Sequence, residues 1–220
     1  MRSVFKNREE AADRLIRLPA LRQYSDRSDA VVLALPRGGV PIAAKIAKAL
    51  HLPMDVLIAR KIGLPGHEEF AIGAIAPGNV CYLNHWLINR LNIPSGMIES
   101  IKNREQIELQ RREKSYHSIH LSRSLENKIV LLVDDGIATG ATVRAAIQFL
   151  KVAFVSKIMV VTPTIAFETA RELEKMVDAL ISIVEPTNFG CVAEWYEDFP
   201  QVSDAAVLGF LATTSKKSNV

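Results

Sequence analysis

Cysteine is almost missing: Cys81 and Cys191 are the only two in 220 residues, and no Cys-x-x-Cys spacing occurs. That excludes a disulfide framework and a structural zinc site as the organising device. No apolar run approaches the roughly 20 residues that cross a bilayer. The start from Met1 to Glu10 is polar and charged, unlike a signal peptide, so a soluble cytoplasmic protein is expected. Neither charge sign dominates. With 27 Lys and Arg against 24 Asp and Glu, the formal charge of +3 is too small to imply nucleic acid as a partner. Internal repeats and low-complexity linkers are also lacking.

What is present is apolar. Hydrophobic residues make up 49% of the chain and charged ones 23%, which fits one large domain, or one domain with an elaboration, around a real core. Residues 5–23 carry Phe5, Ala12, Leu15, Ile16 and Leu18 at helical spacing and read as an amphipathic opening helix. Ala30 to Leu35 is a short apolar strand, broken by Pro36-Arg37-Gly38-Gly39-Val40-Pro41 before a helix containing Ile42, Ile46 and Leu50. Met54 to Ala59 reads as the next strand, ending in Arg60-Lys61. A strand, helix and strand of that length predict a βαβ unit and a parallel sheet. Phe70 to Ile75 and Asn79 to Leu83 suit a hairpin around Pro77-Gly78. Ser95 to Tyr116 is helix-permissive but charged, with a thin apolar line through Ile98, Ile101, Ile107 and Leu109. It reads as a solvated helix, or as an arm over the site or a homodimer contact. Lys157 to Thr162 and Ala179 to Val184 are further buried strands, with a helix from Phe167 to Met176 between them.

The chain is organised around Lys128 to Arg144. A β-branched and Leu run ends in Asp134-Asp135-Gly136-Ile137-Ala138-Thr139-Gly140-Ala141-Thr142 and enters a helix carrying Val143, Ile147 and Leu150. Gly136 and Gly140 open the backbone, and small Ala138 and Ala141 leave main-chain N–H groups accessible. Thr139 and Thr142 add hydroxyls at a helix start, where amides and dipole favour a phosphate. Neither a Walker ending nor a dinucleotide Gly-x-Gly-x-x-Gly is present. Adjacent carboxylates at the C-terminal end of a strand suit sugar hydroxyls or a hydrated divalent ion.

Those residues resemble the phosphoribosyl pyrophosphate (PRPP) motif of the type I phosphoribosyltransferases, without a gap from Leu132 to Thr142. The resemblance implies that Asp134 and Asp135 bind the ribose hydroxyls and that the turn of Gly136, Ala138, Thr139, Gly140, Ala141 and Thr142 cradles the 5′-phosphate. It implies a pyrophosphate turn at Arg37-Gly38-Gly39, often with a cis peptide near its Arg-Gly. Arg60 and Lys61, before Gly63-Leu64-Pro65-Gly66, are similar to the Arg-Lys segment of adenine phosphoribosyltransferases and would neutralise pyrophosphate. The order of the three motifs matches the family, and the resemblance covers most of Ala30 to Val184.

The fold then expected is α/β: an open, mainly parallel twisted sheet flanked by helices, with an inserted helical and hairpin segment at about 76–127 and a small hood at about 185–214. Residues 1–214 form one domain and 215–220 a tail. The activity implied is magnesium-dependent transfer of 5-phosphoribosyl from PRPP to a base or other nitrogen nucleophile. Asp134, Asp135, Arg37 and Lys61 are the catalytic candidates. Mg²⁺ would sit at Asp134 and Asp135, directly or through water or the ribose hydroxyls.

Two departures keep alternatives open. An acid that acts on the purine in hypoxanthine and guanine enzymes is replaced by Ala138, and the flexible catalytic loop does not align, leaving Glu68 and Glu69 as loop acids or plain surface. Phe189, Trp195, Tyr196 and Phe199 either stack on a base or close the core's edge. His117 and His120 read as surface residues. A non-catalytic PRPP-binding regulator is the alternative, and a sugar-phosphate hydrolase or kinase a third reading.

Overall fold

The computed structural model describes residues 4–64, 67–117 and 125–215. Pro65, Gly66, His120 and residues 216–220 lie outside them, as do the side chains of Glu68, Glu69 and His117. Among the described residues no helix is long and apolar enough to cross a membrane.

Helix α1, Arg8–Ile16, begins where the Asn7 side chain accepts the Glu10 amide at 3.0 Å, and buries Ala11, Ala12 and Leu15. The opening segment is not one helix, as expected, but two. Pro19 cannot continue a helix and forces Leu18 to an extended conformation, so a separate turn, α2 (Pro19–Arg22), follows.

The parallel sheet has the strand order β2-β1-β6-β7-β8 among the described residues, with β1 Ala30–Ala34, β2 Met54–Val56, β6 Ile129–Val133, β7 Lys157–Thr164 and β8 Ala179–Val184. Each adjacent pair is parallel. Alternation along β6 explains why its run is wholly apolar. Ile129, Leu131 and Val133 pack with helices α1 and α3 (Gly39–Leu50), while Val130 and Leu132 pack with α6 (Ala141–Val152) and α7 (Phe167–Leu173).

The stretch from Met54 to Ala59 is where expectation and structure part. The parallel strand stops at Val56, and Arg60–Leu64 becomes β3 of a separate antiparallel sheet with β4 (His67–Ala76) and β5 (Val80–Leu83). Leu57, Ile58 and Ala59 are buried between the two sheets, so the apolar pattern runs unbroken across the boundary. The β4–β5 pair is the expected hairpin, extended at its first strand. Its small residues Ala71, Ala74 and Ala76 let it close on Ala141 and Ala145 of α6.

After α4 (His85–Arg90), the long helix α5 (Ser95–His117) buries Ile98, Glu105, Leu109 and Tyr116, while Ile107 is exposed. Its stripe contains a charge, which is why the apolar line looked thin. A 3-10 turn, Val192–Trp195, and helix α8, Asp204–Ser215, complete the described chain.

Candidate functional site

Strands β1 and β6 lie side by side and parallel, with Ala34 paired to Val133, so both end at one edge. The Leu35 amide donates to the Val133 carbonyl at 2.8 Å, carrying the pairing one residue further. The turn from Pro36 to Gly39 is therefore laid directly against the turn that begins at Asp134. A Cβ on Gly39 would stand 2.6 Å from the Val133 carbonyl oxygen, and one on Gly38 would overlap the Asp135 carboxylate. The Pro36–Arg37 peptide is cis, as the resemblance implies for such a turn.

On the β6 side, Gly140 has φ of 69° and starts α6 with no side-chain hydrogen bond to its first amides. A residue with a Cβ is strained at that φ, and the uncapped helix start is chemically suited to an anion. Thr139 is exposed and Thr142 half-buried at the same turn. The Thr169 hydroxyl donates to the Ala138 carbonyl at 2.6 Å, tying the turn to α7.

The two acids have unlike surroundings. Asp135 is buried, and Arg8 of α1 donates to its Oδ2 from Nε at 2.9 Å and Nη2 at 2.8 Å. Its pKa is pushed up by burial and pulled back by Arg8. Asp134 is half-buried, and its Oδ1 accepts the Asp135 amide at 2.9 Å. Burial, then the Asp135 charge, pushes Asp134 well above the usual carboxylate range, while the charge of Lys61 opposes the rise. Lys61 is thus within electrostatic reach of the acid pair.

Arg60 and Arg37 are held in ion pairs with acids of α5 and α8. Arg60 donates to Glu105 of α5 from Nε at 3.0 Å and Nη2 at 2.6 Å. Arg37 donates from Nη1 to Asp204 Oδ1 at 3.4 Å, where the Tyr116 hydroxyl also donates at 2.7 Å. Tyr116, then Arg112 and Arg37, hold Asp204 below the usual carboxylate range. Burial, followed by Asp204, pushes Tyr116 up to about 12.

The aromatic cluster faces itself. Phe189 stacks on Trp195 at 5.7 Å, Tyr196 on Phe199 at 4.8 Å, and Phe5 tilts onto Tyr196 at 5.4 Å. These rings close the core beside β8, and the Tyr196 hydroxyl donates to the Asp135 carbonyl at 2.6 Å. Sequence reasoning missed Arg8, Tyr116 and Asp204. A buried arginine near the start of the chain carries no local signal of a partner 127 positions away.

Among the described residues no group of three or more His, Cys, Asp or Glu could hold a metal ion. Of the two adjacent carboxylates Asp134 is the less committed, since Arg8 takes Asp135, and its chemistry suits a divalent ion that keeps most of its waters.

A family model described as a phosphoribosyl transferase domain matches residues 6–198. Two curated relatives, from strains CDC 1551 / Oshkosh and H37Rv of Mycobacterium tuberculosis, carry the name "Putative phosphoribosyl transferase". Each is 35% identical over 208 residues, covering 94% of this chain and 46% of the relative. The chain thus spans about half the length of those relatives. The crystal structure of TT1426 from Thermus thermophilus is similar over 98% of this chain and 100% of that one, with a TM-score of 0.77 and 30% identity.

Proposed function

This chain belongs to the phosphoribosyl transferase family, and from that premise we propose that it transfers the 5-phosphoribosyl group of PRPP to a nitrogen nucleophile, releasing pyrophosphate with magnesium present. The observation that carries the reading is the packing of the Arg37-Gly38-Gly39 turn against Asp134 and Asp135. One edge then offers two anion-suited turns and a carboxylate between them, which matches a sugar bearing phosphate at one end and pyrophosphate at the other.

The uncapped start of α6, with Thr139 and Thr142, would take the 5′-phosphate. Asp134 would accept hydrogen bonds from ribose hydroxyls. The Gly38 amide, Arg37 and Lys61 would face the pyrophosphate and stabilise the charge gathering on it as the bond stretches, while the Gly39 amide is held by the Leu35 carbonyl at 3.1 Å. Magnesium, held by the phosphates and by Asp134 or its waters, would supply further neutralisation of that leaving group. In the step itself the bond from C1 to the pyrophosphate oxygen breaks, and its electron pair leaves with the oxygen. The nucleophile's lone pair forms the new C1–N bond, and its surplus proton passes to solvent. A carboxylate beside C1 favours the positive charge that develops between the two events.

A second reading, a PRPP-binding regulator without turnover, is favoured by the Arg60–Glu105 pair, which occupies a cation expected to serve the leaving group. Incubation with PRPP, magnesium and a panel of bases, following pyrophosphate by coupled assay and nucleotide by mass, separates the two. Pyrophosphate with a new nucleotide supports transfer. Saturable binding with neither product supports the regulator, and no binding of PRPP overturns both.

A further inference from the structure

The ion pair between Arg8 and Asp135 changes what the two adjacent acids can do. Arg8 spends Nε and Nη2 on a single oxygen of Asp135, and Nη1 on the Pro200 carbonyl at 2.8 Å. Its guanidinium lies 3.7 Å from the centre of the Phe199 ring, so it is clamped by a face as well as by its edges. The two side chains are 10% and 12% exposed. Asp135 is also fixed from its backbone by the Tyr196 hydroxyl, and its carboxylate fills the space where a side chain at position 38 would go.

Such a carboxylate is already neutralised and hydrogen-bonded. Turning it toward a sugar hydroxyl would leave the Arg8 charge buried without its partner, an arrangement that costs far more than a hydroxyl contact returns. Asp134 carries no such clamp and stays half-buried at the rim near Lys61.

Resting on the PRPP reading, we propose that Arg8 is a positioning residue: it neutralises Asp135 and fixes it beneath Gly38, so that Asp134 alone offers its carboxyl oxygens to the ribose. Asp135 becomes the floor of the pyrophosphate turn. Helix α1, outside the three sequence motifs, is then part of the site. The arrangement also removes one of two negative charges from the neighbourhood of a highly anionic substrate, which would otherwise repel it.

The test is a variant set measured for thermal stability without ligand and for PRPP affinity by calorimetry with magnesium, at a temperature where every variant is folded. Asp134→Asn is expected to keep or raise Tm and weaken PRPP binding tenfold or more. Arg8→Gln and Asp135→Asn should each lower Tm, and the double variant should lose less than the sum of the singles. Arg8→Gln leaves the Asp135 charge bare, so PRPP affinity should fall. Arg8→Lys, which restores charge, and the double variant, which restores balance, should each recover part of it. A purely structural arginine would not give that recovery in the double variant. Asp135→Asn with an intact Tm and the same affinity loss as Asp134→Asn would overturn the division of labour, as would unchanged affinity in Arg8→Gln. Wild-type protein that binds no PRPP overturns the transfer reading itself, which is a different failure from intact binding without Arg8 dependence.

Discussion

Gly39 and Asp134 are in contact through their backbones: a Cβ on Gly39 would come within 3.0 Å of the Asp134 Cα. The two residues are far apart in sequence and follow the ends of neighbouring parallel strands. Their closeness means that the two anion-suited turns form a single surface, and that this surface depends on the lack of a side chain at position 39.

Gly39→Ala tests that dependence. The added methyl meets the Val133 carbonyl at 2.6 Å, and that carbonyl is main chain at the end of β6, held by the Leu35 amide, so it cannot swing aside. Overpacking of this kind costs about 2 kcal/mol. We expect a lower urea midpoint together with loss of PRPP binding. Gly96→Ala is the control: that position in α5 meets nothing within 4 Å, and the exchange should leave stability level or raise it by up to about 1 kcal/mol. Equal effects of the two substitutions would refute the close-packing account.

A second prediction concerns how Arg37 is aimed. Asp204 takes one of its nitrogens, and Tyr116 steadies Asp204 from the long helix. Tyr116→Phe preserves the buried ring and removes only the hydroxyl, so stability should fall by about 1 kcal/mol. PRPP affinity should fall with it, severalfold, because Asp204 loses its nearest donor and Arg37 its fixed acceptor. Calorimetric titration checks the second part. Tighter binding in Asp204→Ala would show instead that Asp204 competes with the ligand for Arg37.

Much of this site is legible in the sequence because its signals are local. Asp134 to Thr142 and Arg37 to Gly39 each combine a buried strand and glycines, the first with short polar side chains and the second with an arginine, within a dozen positions, and each is found as a turn at the expected strand end. The parts that escape are pairings across long separations. Nothing around Arg60 indicates that Glu105 will take its guanidinium, and nothing around Arg8 points to Asp135. The boundary between the two sheets also escapes, since Leu57 to Ala59 is as apolar as the strand before it. The aromatic run from Phe189 to Phe199 is visible in composition, but only the stacking geometry decides that its rings face one another.

The Arg60–Glu105 pair gives a third prediction. Glu105 is 8% exposed and the Arg60 side chain 27%, so the pair is partly shielded from water and joins α5 to the small sheet. Glu105→Gln keeps the shape and removes the charge, leaving Arg60 incompletely neutralised. Allowing for the exposed side of Arg60, the loss of stability should be about 2 kcal/mol, below the range for a fully buried pair. Denaturant unfolding of the variant measures it. If Arg60 is also wanted by pyrophosphate, the same variant binds pyrophosphate more tightly than wild type. Unchanged pyrophosphate affinity would assign Arg60 to the α5 contact alone.

The fourth prediction links the acid at the rim to pH. Asp134 has an ordinary value of 3.8 that the folded protein raises, through burial and then through the neighbouring Asp135 charge. Between the unfolded and folded values, the folded chain holds a proton that the unfolded chain has lost. The contribution of this group to stability is therefore fully present below the unfolded value and is lost as pH rises through the folded one. Asp134→Asn removes the titration. The difference in Tm between variant and wild type should be near zero at pH 4 and grow in the variant's favour toward pH 8. Melts at pH 4, 6 and 8 measure it, and a difference constant across that range would mean that the Asp134 charge is not penalised in the fold. The same substitution should weaken PRPP binding. A residue that destabilises the free protein at neutral pH, and whose removal damages ligand binding, is held there by the ligand's need for it and not by the fold's.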